Sequence, residues 1–178
     1  MNKKLSIIVP VYNEVETVLI LLNKLIKLNL YNNFTSEIII VDDNSTDGTK
    51  ELLKNLEKET SNTNLKFIYK SQNSGKGSSQ KLAIPLCTGD FTIIQDADLE
   101  YNVNNINSLL KLIVDYNYDA VLGYRKLTNT KILLVFLNPK KTMAYMMQLI
   151  KVLRNQRVLW YQYYIRTIFF LIIKLYRK

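Results

Sequence analysis

Asp96 and Asp98, separated by Ala97 and following the apolar run Phe91-Thr92-Ile93-Ile94-Gln95, are the side chains best placed to do chemistry in this sequence. Two carboxylates two residues apart at the end of a buried strand point the same way and can grip a divalent cation. Their hard oxygens suit Mg²⁺ or Mn²⁺, ions that commonly hold the phosphates of a nucleotide. Acidic turns after strands are common, so what sets this pair apart is its surroundings.

Two further runs end the same way. Leu5-Ser6-Ile7-Ile8-Val9-Pro10-Val11 breaks into Tyr12-Asn13-Glu14, and Glu37-Ile38-Ile39-Ile40-Val41 ends in Asp42-Asp43-Asn44-Ser45-Thr46-Asp47-Gly48-Thr49. Near-continuous Val/Ile runs bounded by turn residues predict parallel strands buried on both faces. Between them, Val18, Leu21, Leu22, Leu25 and Ile26 recur at helical spacing, as do Leu52, Leu53 and Leu56. Strands near 66–70 and 120–123, with helices near 78–87 and 104–117, complete an alternating βα series. This pattern predicts a doubly wound α/β fold, a mostly parallel sheet flanked by helices. Ligands of such sheets sit beyond the carboxyl ends of the strands, where the strand order reverses. With the order 3-2-1-4, Glu14, Asp42/Asp43 and Asp96/Asp98 converge on one site.

Four segments, in this order, carry a resemblance: Ser6-Ile-Ile-Val-Pro-Val-Tyr-Asn-Glu14, Ile40-Val-Asp-Asp-Asn-Ser-Thr-Asp-Gly48, Asn73-Ser-Gly-Lys-Gly77 and Gly89-Asp-Phe-Thr-Ile-Ile-Gln-Asp-Ala-Asp-Leu-Glu100. Together they resemble the family 2 glycosyltransferases of the GT-A fold, in particular the dolichyl- or polyprenyl-phosphate mannosyl- and glucosyltransferase-like subgroup. The likeness covers residues 4–126. It implies transfer of a sugar from a GDP- or UDP-linked donor with inversion at the anomeric carbon. It also implies roles by position. Pro10, Tyr12 and Glu14 line the nucleoside pocket, with Val41, Asp42 and Asp43 reaching base or ribose from the second strand end. Lys76 and Gly77 approach the donor from the third crossover. Asp96 and Asp98, with Glu100 assisting, hold a Mg²⁺ or Mn²⁺ that bridges the diphosphate and stabilises the leaving group's charge as a Lewis acid.

Plainer roles stand beside these. Asn13 is a candidate cap for the first crossover helix, and Ser45 or Thr46 for the second, because such side chains satisfy free helix amides. Gly75-Lys76-Gly77 lacks the upstream glycine and following hydroxyl of a phosphate-binding P-loop, which excludes ATPase chemistry. Tyr101-Asn102 and Asn104-Asn105 read as a helix start, and Cys87, beside Leu86 on an apolar helix face, as core.

Composition bounds the setting. The 178 residues suit one domain, and a single cysteine excludes an internal disulfide and fits a reducing cytosol. Pro10 and Glu14 interrupt the N-terminal apolar run too early for a signal peptide. No uncharged apolar stretch reaches the roughly 18 residues of a membrane span. The charge is divided: residues 1–119 carry 12 Lys/Arg and 15 Asp/Glu, whereas residues 120–178 carry 12 Lys/Arg and no acid. A catalytic core over residues 1–126 is therefore expected, followed by a basic, apolar, helical tail over 127–178. Met143, Met146, Met147, Ile150 and Leu153 fall at helical spacing, as a face packed on the core would. Trp160-Tyr-Gln-Tyr-Tyr164 and Ile168-Phe-Phe-Leu-Ile-Ile173, interleaved with cations, fit a helix on an anionic bilayer surface. The expected location is cytoplasmic, peripheral at the inner membrane face. No nucleic-acid motif accompanies the charge, so no nucleic-acid partner is expected.

The missing acids also bear on the acceptor. Transfer to a sugar hydroxyl generally needs a carboxylate base, and after Asp119 the chain has none. A lipid phosphate needs no base, because its oxygen is already anionic, and Arg125, Lys126 or Lys131 could attract it. A lipid phosphate or related envelope glycan is thus the expected acceptor. Past Gly123-Tyr124-Arg125 the Thr-Asp-x-x-x-Gly segment that the resemblance implies on the acceptor side has no counterpart; a natural short form, a truncated or frame-altered product, and a donor-binding half whose acceptor side a protein partner completes all stay open. Two other readings stay open: a catalytically silent nucleotide- or membrane-binding domain, and, more weakly, a sugar nucleotidyltransferase.

Overall fold

A computed structural model of the protein describes residues 3–118, 120–125, 132–136 and 168–174. The chain runs β1 (Lys4–Val11), α1 (Val18–Ile26), β2 (Thr35–Asp42), α2 (Thr49–Glu59), β3 (Leu65–Tyr69), α3 (Lys76–Ala83), β4 (Phe91–Ile94), α4 (Asn105–Tyr116) and β5 (Ala120–Arg125). Two further strands, β6 (Ile132–Phe136) and β7 (Ile168–Lys174), follow. All seven strands form one sheet in the order β3-β2-β1-β4-β7-β5-β6. Strands β3, β2, β1 and β4 are parallel, which is the expected 3-2-1-4 arrangement.

Side-chain alternation along the strands divides the core in two. Leu5, Ile7, Val9 and Val11 of β1 pack with Ile38, Ile40 and Ile93 under Leu21 and Leu22 of α1, Leu53 of α2 and Ile106 and Leu110 of α4. On the opposite face Ile8, Ile39 and Val41 pack against Ala83 of α3. β1 is buried on both faces over all but its first residue, as a central parallel strand requires. Cys87 does not lie on a helix. It follows the 3₁₀ turn Ile84–Leu86, half-buried against the second cluster, and burial pushes its thiol pKa up.

The amino ends of the strands, opposite the acidic strand ends, are fastened by a buried carboxylate. Glu37 accepts from Ser6 Oγ (2.6 Å), Thr88 Oγ1 (2.8 Å), the Thr88 amide and Lys66 Nζ (2.9 Å), with Lys4 Nζ at 3.2 Å. Burial works against its charge, but these donors outweigh it and hold Glu37 far below the ordinary carboxylate range. Gly89 completes the joint. Its amide donates to Ser6 Oγ, and a Cβ there would lie 2.7 Å from Ser6 N and 2.8 Å from Lys4 O.

The tail departs from expectation. Ile132–Phe136 and Ile168–Lys174 are strands, not helix, and β7 lies antiparallel between β4 and β5. Short runs of β-branched and aromatic residues suit a buried strand as well as a helix, and the open edge of β4 decides in favour of the strand. Met143 to Leu153 and Trp160 to Tyr164 lie outside the described residues, as do Lys126 and Lys131. Among the described residues, no helix is long and apolar enough to cross a membrane.

Candidate functional site

The cleft opens where β1 and β4 part. Their pairing ends at Ile8 with Ile94, and the Gln95 amide adds one last bond to Ile8 O (2.9 Å), while β1 stays paired with β2 as far as Val11 with Asp42. Pro10, with no N–H to donate, sits just past the last β1–β4 pair, where a ladder hydrogen bond is no longer needed. The gap lies at the reversal of strand order, the crevice of doubly wound sheets.

Pro10 near the end of β1 lines it, with Tyr12 and Glu14 from the loop after β1, Asp43 from the loop after β2, Lys76 from α3, and Asp96 and Asp98 from the loop after β4. Seven residues singled out in the sequence therefore meet in one place. Val41 and Asp42 do not reach it. Both are fully buried, and Asp42 accepts the Ser45 amide (3.3 Å), shaping the turn after β2 with Lys50 Nζ at 3.8 Å. Gly77 and Glu100 are also absent from the lining. Leu99 adopts a left-handed φ of +59°, and after this reversal Glu100 lies in a separate depression with Lys24 and Lys27. Arg125 ends β5, and its side chain is not among those described.

The loop side chains join one strand end to the next. Asn13 (φ +55°) donates its amide to Ser45 Oγ (3.0 Å), and its Oδ1 accepts the Thr46 amide (2.9 Å). The Glu14 amide donates to Thr49 Oγ1 (2.8 Å) and the Val15 amide to Asp47 Oδ2 (3.2 Å). Asn13, Ser45 and Thr46 thus make no helix cap; the residues at the α1 and α2 N-caps are Thr17 and Gly48, without side-chain capping bonds. The loops after β1 and β2 become one rigid wall, which fixes Tyr12 and Glu14. Tyr12 is 46% exposed at the cleft. Glu14 spends one carboxylate oxygen on Thr17 Oγ1 (2.5 Å) and keeps the other.

Asp43 forms the floor. It is buried, ion-paired with Lys70, and accepts the amides of Ser74 (3.1 Å) and Gly75 (2.7 Å). Burial alone would raise its pKa, but Lys70 and the two amides overcome it, so the carboxyl stays ionised below the usual range. Gly75 presents its amide at φ +85° and ψ 162°, backbone open essentially to glycine alone. Lys70 and Ser79 were not anticipated from the sequence. Ser79 lines the cleft from α3, fully buried, with a hydroxyl that has no protein partner. The only signal for either was nearness to the Asn73–Gly77 segment.

Lys76 Nζ lies 2.5 Å from Asp96 Oδ1, with 55% of the lysine side chain and 27% of the aspartate exposed. The oxygens of Asp96 and of the exposed Asp98 beside it are the hard ligands a divalent ion takes. Among the described residues no three His, Cys, Asp or Glu side chains form a metal cage. Asp96 and Asp98 would therefore hold such an ion with help from ligand oxygens and water.

Comparison with known proteins bears on the family and the fold. The sequence model described as glycosyl transferase family 2 matches residues 6–173. A dolichyl-phosphate β-glucosyltransferase of Dictyostelium discoideum is 31% identical over 134 residues, 70% of this chain and 40% of its own. An uncharacterised glycosyltransferase of Mycoplasma genitalium is 29% identical over 120 residues, 67% of this chain and 40% of its own. The chain spans about half the length, or less, of the curated relatives it matches. Among solved structures, S. aureus TarS in complex with UDP-GlcNAc superposes with a TM-score of 0.56 at 30% identity, over 72% of this chain and 36% of TarS. The mannosyltransferase PcManGT of Pyrobaculum calidifontis, in complex with GDP-Man and Mn²⁺, superposes at 0.59 with 23% identity, over 71% of this chain and 36% of its own. The second likeness is one of fold.

Proposed function

The chain belongs to glycosyltransferase family 2, and on that premise we propose that it transfers a hexosyl group from a GDP- or UDP-linked sugar to a lipid phosphate or related cell-envelope acceptor at the inner membrane face. The observation that carries this reading is the meeting of Glu14, Asp43, Lys76, Asp96 and Asp98 in one cleft at the parting of β1 and β4. An aromatic face, acceptors for a base or ribose, and a cation beside two carboxylates are what a nucleoside diphosphate needs.

Each side chain has a task. Tyr12 packs on the base. The free oxygen of Glu14 and the remaining lone pairs of Asp43 accept from base or ribose, and the lock on the β1 and β2 loops limits the entropy lost on binding. Lys76 faces the diphosphate. When bound at Asp96 and Asp98, a divalent cation supplies Lewis-acid stabilisation of the departing diphosphate. Transfer breaks the bond between the anomeric carbon and the diphosphate oxygen as the acceptor oxygen bonds to that carbon from the opposite side, inverting it. An acceptor phosphate brings its negative charge with it, so no carboxylate base is required. That suits a chain with no acid after Asp119, with Arg125 and Lys126 as acceptor-side cations. The D. discoideum relative, a dolichyl-phosphate β-glucosyltransferase, supports the same acceptor class.

The test is calorimetric titration with UDP, GDP and their sugar conjugates in Mn²⁺, with Asp98→Ala as control. Binding of one nucleotide class, lost in the variant, is the expected result. Release of nucleoside diphosphate only when polyprenyl phosphate is added would then identify the acceptor. Binding without turnover on any acceptor would leave a silent nucleotide-binding domain, and no binding at all would refute the donor site.

A further inference from the structure

We infer that Lys76 is an internal counter-cation which holds Asp96 until a diphosphate arrives, so that metal and nucleotide load together and the metal binds poorly alone. The inference rests on the donor-site reading and deepens it.

Three observations lead here. Lys76 Nζ sits 2.5 Å from Asp96 Oδ1, within the space a metal ligated by Asp96 would claim. A divalent ion and an ammonium cannot share one carboxylate oxygen at such range without strong repulsion. Among the described residues the protein offers no third acid or imidazole to tip that competition towards the metal, because Leu99 turns Glu100 away. A bare two-carboxylate site with one carboxylate already neutralised is a weak metal site. Lys76 is also the first residue of α3, more than half exposed, and lines the same cleft. Its long stem lets the ammonium leave Asp96 for a diphosphate oxygen without moving the helix. The arriving diphosphate then does two things: it draws Lys76 off Asp96, and it adds the oxygens the metal lacks. By linkage, whatever factor the nucleotide adds to metal affinity, the metal adds to nucleotide affinity.

The exchange makes an unusual prediction of sign for Lys76→Met. Removing a cation from the donor pocket weakens nucleotide binding, yet it strengthens binding of Mn²⁺ alone. Competition from a partly exposed ion pair implies a gain of about threefold to fivefold. Free Mn²⁺ is counted by its EPR signal as protein is titrated, without nucleotide and then with saturating UDP or GDP, with a protein-free nucleotide titration subtracted because the diphosphate itself chelates Mn²⁺. In the wild type, nucleotide sharply increases Mn²⁺ uptake; in Lys76→Met, uptake without nucleotide rises and the nucleotide-dependent increase shrinks. Lys76→Arg, which keeps the cation, behaves as wild type, and unchanged melting curves exclude a folding defect. If Lys76→Met binds nucleotide-free Mn²⁺ no better than wild type while Mn²⁺–nucleotide still binds the wild type, the counter-cation role is wrong and the donor site survives. If the wild type takes up no more Mn²⁺ with any nucleotide than without, both fall together.

Discussion

Asp43 is the residue on which the cleft most depends, because its carboxylate holds Lys70 and two amides of the loop before α3. The pair is nearly buried, with 4% of the Asp43 side chain and 11% of that of Lys70 exposed. Neutralising one partner leaves the other charged in a poorly solvated place, which costs about 3 kcal/mol. Asp43→Asn should therefore lower unfolding free energy in urea by that order and weaken nucleotide binding, whereas Asp43→Asn with Lys70→Met should recover part of the stability. Full additivity in that cycle would show that the two side chains are not coupled. Asp43 and Asp96 were legible because acids at the ends of Val/Ile strands stand out against apolar neighbours. Glu100 was grouped with Asp96 and Asp98 by proximity in sequence alone, and nothing in its residue type announces that Leu99 turns backwards. Asp42 shows the same limit from the other side: adjacent to Asp43, it faces the opposite way into the turn after β2.

At the scale of elements, the site at the carboxyl ends of the strands depends on a joint at their amino ends. The segment from Thr88 to Asp90 feeds β4, and so Asp96 and Asp98, and it is clamped to β1 and β2 through Glu37, Ser6 and Gly89. Gly89→Ala would drive a Cβ into backbone atoms of Lys4 and Ser6 that cannot yield like a flexible side chain, at about 1–3 kcal/mol. A lowered melting temperature is the measurement, and wild-type stability would mean the loop is not held. Glu37 adds a pH signature. Its folded pKa lies below the ordinary 4.5, so its stabilisation is present above that value and is lost as pH falls below it towards the folded pKa. Glu37→Gln should be less stable at pH 7 and show a shallower loss of stability between pH 5 and pH 3 in urea titrations. An unchanged acid slope would remove Glu37 from the account. The alternating βα series was legible because buried parallel strands and amphipathic helices have different periods. The joint was not, because a glutamate, a serine and a threonine scattered over 83 positions carry no common pattern until the strands pair.

For the whole molecule, the decisive question is what the basic C-terminal part does for the acidic core. Read by composition, residues 127–178 form a helical segment lying on a bilayer. Yet Ile168–Lys174 lies inside the sheet, paired with β4 through Phe91 and Thr92 and with β5 from Ala120 to Tyr124. A strand paired with β5 along its length and with β4 at its end is not a helix lying on lipid. An apolar run with the composition of an anchor is thus a member of the sheet. The two roles predict opposite results for a chain ended after residue 167. A dispensable surface anchor would leave the melting transition unchanged and abolish binding to anionic vesicles. Removal of β7 instead strips β4 and β5 of their shared neighbour and exposes two strand edges, which favours aggregation. We expect the shortened chain to lose its cooperative melt and aggregate. The full chain should bind phosphatidylglycerol vesicles at low salt and release them as ionic strength rises past about 0.15 M, where the Debye length falls to about 8 Å. Retention of a wild-type melt by the shortened chain would mean that β4 and β5 do not need β7. The sheet would then end at β4, with the cleft between β1 and β4 complete and the edge of β4 open.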